Sequence, residues 1–352
     1  MSTAPLRPLW ARHLALALGG LCAATATLAA APAYRIELIE KSGGIKSESV
    51  SSLSDNGTIL GCGHDAKAGM TVTYVKKPGE KAQALDGAKS YCNGGDVNDA
   101  GAAVGGYING NSVQAALWTS DGVRHDLRDL AGCDAGQSGS YSAAGGINAA
   151  GDAAFLVSCK IHGQKIEHAA LWRQGQTTFL PGDRPRAVDV NNLGQVVGYV
   201  DHGNNTTRAI VWQPDGGFQL LGTLGGTSSY ARAINDAGHV VGDSSISTGA
   251  MRGYHFDGVD MTELPACGKY SPYPADINND GLIAANYGGG ENNRHAALIL
   301  DGECYPLQDV LDASGADWDN LSVASINSRG EMVGFGHYRG AKRTWIAKPV
   351  GR

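Results

Sequence analysis

Ala187-Val188-Asp189-Val190-Asn191-Asn192-Leu193-Gly194-Gln195-Val196-Val197-Gly198-Tyr199-Val200 is the stretch whose reading decides the fold. Its first five residues alternate small or apolar with polar, as a half-buried strand does. Asn191 to Gly194 then reverse the chain: Asn suits the first position of a type I turn, and Gly the left-handed position that closes a hairpin. Gln195 to Val200 reads as a second strand. After a polar loop, Arg208-Ala209-Ile210-Val211-Trp212 reads as a third, and Pro214-Asp215-Gly216-Gly217 turns into a fourth, Phe218-Gln219-Leu220-Leu221. Four antiparallel strands joined by turns make a propeller blade, and the helical periodicity that an α-solenoid needs is absent.

The same phrase, aliphatic-Asn-x-x-Gly, recurs at Val97, Ile147, Val190, Ile234, Ile277 and Ile326, with a worn copy at Leu53-Ser54-Asp55-Asn56-Gly57. The turn glycines stand 44, 50, 43, 44, 43 and 49 residues apart, so one unit of about 44 residues fills the chain. These are units 1 to 7 below. Third strands repeat as Gln114-Ala-Ala-Leu-Trp118, His168-Ala-Ala-Leu-Trp172 and His295-Ala-Ala-Leu-Ile299. Gly61, Gly105, Gly198, Gly242 and Gly334 fall four residues after a turn glycine, where a strand glycine marks a bulge or a close backbone approach. Unit 7 ends after its third strand, Arg343 to Ala347, while a lone strand, Tyr34 to Ile39, precedes unit 1. The expected fold is all-β: a seven-bladed β-propeller of four-stranded antiparallel blades. Its ring is closed by the N-terminal strand completing the last blade, which pairs the two free edges.

The order Ala-x-x-Ile-Asn-x-x-Gly-x-Val-Val-Gly, then His-Ala-Ala-Leu-Trp, then Leu221-Gly-Thr-Leu-Gly-Gly226 resembles the bacterial HAF-type extracellular repeats over most of residues 34–347. It is sharpest in Pro185 to Gly242 and poor in unit 1, where Thr71-Val72-Thr73-Tyr74 replaces the third-strand motif. The resemblance implies export and a β-rich repeat array. It brings no activity and no catalytic residues.

Residues 1–33 have the form of a secretory signal: Arg7 and Arg12, an apolar small-residue stretch from Leu14 to Ala30, and Ala31-Pro32-Ala33 as a cleavage site. The mature domain is then 34–352, secreted or periplasmic, and its formal charge moves from -6 to -8 with the loss of the two arginines. No basic cluster points to nucleic acid or to an anionic membrane, and no apolar run is long enough for membrane insertion. Six cysteines remain after cleavage, an even number that favours disulfides in an exported chain. Cys62 and Cys159 end second strands, and Cys92 and Cys133 precede first strands on the same face, so Cys62–Cys92 and Cys133–Cys159 are local pairings. Cys267 with Cys304 is left by elimination and fits less well, because Cys304 follows a turn on the opposite face.

Linear motifs for chemistry are missing. Asp276-Ile277-Asn278-Asn279-Asp280-Gly281 starts like a calcium loop, but it is also the repeat's turn, and Tyr287 stands where the bidentate carboxylate belongs. The histidines show no chelating spacing, no Gly-x-Ser-x-Gly elbow or phosphate loop is present, and the sialidase-like box is lacking. No catalytic residue, metal site or cofactor is therefore assigned. Two connections before first strands are long, 30 residues from Trp118 to Asn148 and 28 from Ile299 to Asn327, and both project from one face. They carry Asp134, Gln137 and Tyr141, and Asp312, Asp317, Trp318, Asp319 and Asn320; the Lys269-Tyr270-Ser271-Pro272-Tyr273 loop joins them. Loops on a rigid scaffold are where binding resides. The expectation is a monomeric, non-enzymatic propeller that binds an extracellular glycan or protein through Tyr141, Tyr270, Tyr273, Asp317, Trp318 and Asp319. The alternative is a polysaccharide lyase or hydrolase whose carboxylates Asp134, Asp317 and Asp319 converge over the central channel.

Overall fold

A computed structural model describes residues 32–351 apart from 110–111, 136–140 and 290–293. The signal segment and Gln137 lie outside the described residues, apart from Pro32 and Ala33 at the signal's end. The described chain is all-β, built from antiparallel strands with only short helical turns. Unit 4 is as read: Asp183–Val190, Val196–Asp201, Thr207–Trp212 and Phe218–Leu220 pair in order. Units 3 and 6 stand as separate four-stranded sheets, and a single parallel bridge, Thr207 to Ser228, joins units 4 and 5. The N-terminal strand Tyr34–Leu38 pairs antiparallel with Ala341–Pro349, the third strand of unit 7.

Apolar side chains fill the spaces between consecutive sheets. Ala154, Ala169 and Leu171 of unit 3 pack with Val190, Ile210 and Trp212 of unit 4. The small Ala-Ala pairs of the third strands are almost fully buried, so neighbouring sheets come close at those positions. Val50, Leu53 and Ile59 of unit 1 share a cluster with Val333 of unit 7. The strand glycines have a specific cause. First strands bulge just before Ser52, Asp189, Ala233, Asp276 and Ser325. A Cβ on Gly198 would stand 1.7 Å from the Arg186 carbonyl oxygen, and one on Gly242 2.0 Å from that of Tyr230.

The repeated Asn does two jobs at once. In unit 5 the Asn235 Oδ1 accepts the N–H groups of Ala237 and His239 at 3.1 and 3.0 Å, fixing the turn. Its Nδ2 donates to the Asn278 carbonyl of unit 6 at 3.0 Å. The same donation runs from Asn98 to Asn148, Asn191, Asn235, Asn278 and Asn327, and Asn327 donates to the Ser54 carbonyl of unit 1 at 3.2 Å. Ser54 is too short to continue the series, and Asn56 Nδ2 reaches the Asp99 carbonyl at 2.7 Å instead.

Below this belt sit three buried carboxylates, in units 2, 4 and 6. Asp96 accepts the N–H of Val97 and that of Ile147 in the next unit; Asp189 accepts those of Val190 and Ile234; Asp276 accepts those of Ile277 and Ile326. Each carboxylate has two oxygens and so serves two units. The seventh N–H, on Leu53, goes to Ser325 Oγ at 3.3 Å. Between the carboxylates stand Gly146 and Ala233, too small to crowd them.

Burial, followed by the charge of Asp96, pushes the Asp189 carboxyl up to about 7, and burial pushes Asp276 up to about 6. A folded-state value above the unfolded one means that the native state keeps a proton the unfolded chain releases. Stability from this source is full below about pH 4 and is lost as pH rises toward 7. Asp189→Asn, which never titrates, should therefore destabilise more at pH 5 than at pH 8, read from urea unfolding at both values. Deleting 34–41 removes the buried Tyr34 and Ile36 and strips Ala341–Pro349 of its outer partner, leaving only Met332–Tyr338 beside it. Its calorimetric transition should broaden and fall by well over 10 °C; an unchanged melt would refute a structural role for that strand.

Candidate functional site

The turns of all seven units line one cavity of about 160 Å³. Its carboxylates are committed to backbone N–H groups, and no set of three or more His, Cys, Asp or Glu among the described residues is arranged to hold a metal. In the calcium-like stretch, Asn278 Oδ1 accepts the turn amides of Asp280 and Leu282, which makes it the hairpin turn.

The opposite face carries the long connections. The one before unit 7 folds into a short helix, Leu307–Val310, and a 3-10 turn, Ala313–Gly315. Asp312 caps that turn through Ser314 N at 2.9 Å and pairs with Arg35 at 3.1 Å. Ile36 N donates to Ser314 Oγ, and Asp312 N to the Tyr34 carbonyl, so the N-terminal strand holds the insert in place. Between the insert and unit 6 lies a groove of about 250 Å³, lined by Tyr287, His295, Gln308, Trp318, Asp319 and Asn320.

Tyr287 and His295 face each other across paired strands with ring centroids 5.2 Å apart, and Tyr270 lies 6.3 Å from Tyr287. Burial, with the charge of Asp309 added, pushes the Tyr287 phenol up, so it stays a neutral donor. Asp319 is exposed and accepts from Asn320 Nδ2 at 2.8 Å; His337 Nδ1 is 3.3 Å from the same oxygen. Aromatic faces beside a carboxylate and two side-chain amides can stack on a ring and hydrogen-bond its substituents. Gln308 Nε2 donates to the Gly315 carbonyl at 3.1 Å, which ties this amide to the insert.

The residues read from sequence are divided among different places. Trp318, expected as an exposed loop aromatic, is only 5% exposed and packs against Tyr338 at 5.1 Å. Asp317 does not line the groove; Arg339 donates to it at 2.8 Å while lying over the Tyr338 ring. Tyr270 extends the aromatic run, and Tyr273 is 43% exposed beside it on the strand paired to Asn286. Tyr141 belongs to unit 3, where its hydroxyl donates to Glu167 at 3.0 Å and Arg186 shares that carboxylate. It is not part of the groove. Asp134 accepts the N–H groups of His162 and Gly163, both at 2.9 Å, and so pins a hairpin of its own unit. Sequence reasoning missed Tyr287, Gln308 and the bridging Asn286, whose side chain holds Val323 of unit 7 through both backbone groups at 2.9 Å. The one available signal was that Tyr287, like Tyr107, falls six residues after a turn glycine.

All three cysteine pairs are disulfides: Cys62–Cys92, Cys133–Cys159 and Cys267–Cys304. The Cα atoms of the last are 5.4 Å apart, so the loop leaving unit 5 passes beside the outer strand of unit 6. No helix among the described residues is long and apolar enough to cross a membrane.

No family model matches the chain, and no curated protein matches it in sequence. Solved structures that are similar to it are β-propellers. The β-propeller domain of the trilobed protease from Pyrococcus furiosus, described as having an open velcro topology, superposes with a TM-score of 0.53 at 11% identity, over 88% of this chain and 97% of that one. A puromycin-hydrolyzing peptidase of Mycobacterium tuberculosis gives 0.52 at 11% identity, over 89% of this chain and 56% of that one. At such identity the likeness defines the fold class, a propeller, and nothing of the chemistry.

Trp318 carries a core role that its neighbours in the groove do not. Trp318→Ala should cost about 3–5 kcal/mol, whereas Asp319→Ala should leave the urea midpoint nearly unchanged. Equal midpoints for the two variants would overturn that division.

Proposed function

We propose that this is an exported recognition protein that binds an extracellular glycan or protein in the groove between units 6 and 7. The observation that carries the reading is the alignment of Tyr270, Tyr287 and His295 opposite the exposed carboxylate of Asp319. A sugar ring fits such a site, with its apolar face on an aromatic and its hydroxyls on Asp319, Asn320 and Gln308. The rival reading, a polysaccharide lyase or hydrolase, has less support: Asp134 is held by a hairpin and Asp317 by Arg339, so only Asp319 is open to substrate.

The scaffold we propose is a closed ring of seven blades. It is supported by the donation from turn to turn that returns from Asn327 to Ser54, and by the pairing of Tyr34–Leu38 with the last unit. Export to the periplasm or the medium is supported by the three disulfides, and the HAF-type resemblance points the same way.

Calorimetry against a panel of bacterial and plant polysaccharides tests the function. One glycan should raise the melting temperature of the native protein. The rise should vanish in Tyr287→Ala while that variant's own melt stays within about 2 °C of the parent. A rise that survives Tyr287→Ala and Asp319→Ala would put the ligand elsewhere, and release of shortened or unsaturated sugars would favour the enzyme.

A further inference from the structure

We propose that His239 and His255, on the turn side of unit 5, form a binding site for one divalent transition-metal ion, such as zinc, nickel or copper. His255 Nε2 and His239 Nδ1 stand 3.2 Å apart, with ring planes at 61°. Two nitrogens each about 2.05 Å from a common metal would subtend roughly 100° at that separation, close to the tetrahedral angle. Without metal, one proton lies between the two nitrogens. Metal takes its place by accepting both lone pairs, and that proton passes by way of solvent to the other nitrogen of its own ring, so both imidazoles stay neutral.

Both imidazoles are held on rigid backbone. His239 N donates to Asn235 Oδ1 at 3.0 Å, and the His239 carbonyl accepts from Asn235 N at 3.1 Å, so this residue is locked to the turn. His255 lies mid-sheet, paired with Val241 on one side and Thr262 on the other. A preset pair loses little freedom on binding. Both rings are half-exposed, and no third His, Cys, Asp or Glu among the described residues completes a ligand set, so water fills the remaining positions.

Comparison between the units supplies an independent argument. The position of His255 is Val75, Leu117, Leu171, Val211, Leu298 and Ile346 in the other six, aliphatic each time. The residue after the turn glycine, His239 here, is Thr58, Ala102, Asp152, Gln195, Leu282 and Glu331 elsewhere. Unit 5 alone breaks the aliphatic pattern at the first position, and it does so where the variable second position holds a histidine whose ring nitrogen meets it. Packing alone gives no reason to trade a buried aliphatic for an imidazole here.

The test is titration calorimetry of the tag-free protein with zinc and nickel, and electron paramagnetic resonance with copper. One ion per chain should bind with micromolar affinity, and copper should show two nitrogen ligands. His239→Gln and His255→Leu install residues that units 4 and 2 already carry, so both should fold, as their melting curves will verify. Each should weaken binding at least tenfold. Absence of binding by the native protein, or unchanged affinity in the folded double variant, overturns the site.

Discussion

Seven residues, one in each unit from Leu53 to Ile326, line a single cavity, and their backbone N–H groups have no strand to pair with. A buried amide left without an acceptor costs about as much as a lost hydrogen bond. Three bidentate carboxylates and one serine hydroxyl satisfy all seven. Alternate units must therefore carry Asp, and those between must be small, as Gly146 and Ala233 are. The odd unit leaves two neighbours without a carboxylate, and Ser325 and Ser52 fill that gap: Ser325 donates to Asp276 and Ser52 to Asp96. The first-strand bulges fall at these same positions, just before Ser52, Asp189, Ala233, Asp276 and Ser325.

The balance struck there is between charge and connectivity. Three carboxylates sit near one another with no basic partner; burial raises all three, the charge of Asp96 raises Asp189 and Asp276 further, and that of Asp276 adds to Asp189. An Asn in their place would be neutral but offers one acceptor oxygen instead of two. Two-oxygen reach is what joins consecutive units, so the cost of the charge is tolerated for the sake of the bridge. The belt of Asn residues above it uses the opposite property, one donor and one acceptor on the same side chain, which an Asp could not supply.

Much of this fold was legible because its signals are local. Asn191-Asn192-Leu193-Gly194 encodes its turn within four residues, and the spare strand at Tyr34 matches a missing strand at the other end by simple count. Cys62–Cys92 and Cys133–Cys159 followed from which face each strand end reaches. What stayed hidden depends on neighbours some 44 residues away. Nothing in Asp189-Val190-Asn191 tells that one carboxylate oxygen belongs to Ile234. Nor does Asp317-Trp318-Asp319 reveal that the ring turns inward over Tyr338 while the carboxylates stay out. Tyr287 and His295 looked like ordinary strand residues; they line a groove only because the Leu307–Gly315 insert stands beside them.

The pairing of Tyr34–Leu38 with Ala341–Pro349 sets an order of events for a growing chain. The first strand made has its partner more than 300 residues downstream, roughly 15–60 s later at ordinary synthesis rates of 5–20 residues per second. Until then Tyr34–Leu38, on which the insert leans, is without the strand that anchors it. The groove beside the insert is thus completed only once the final strand has been made.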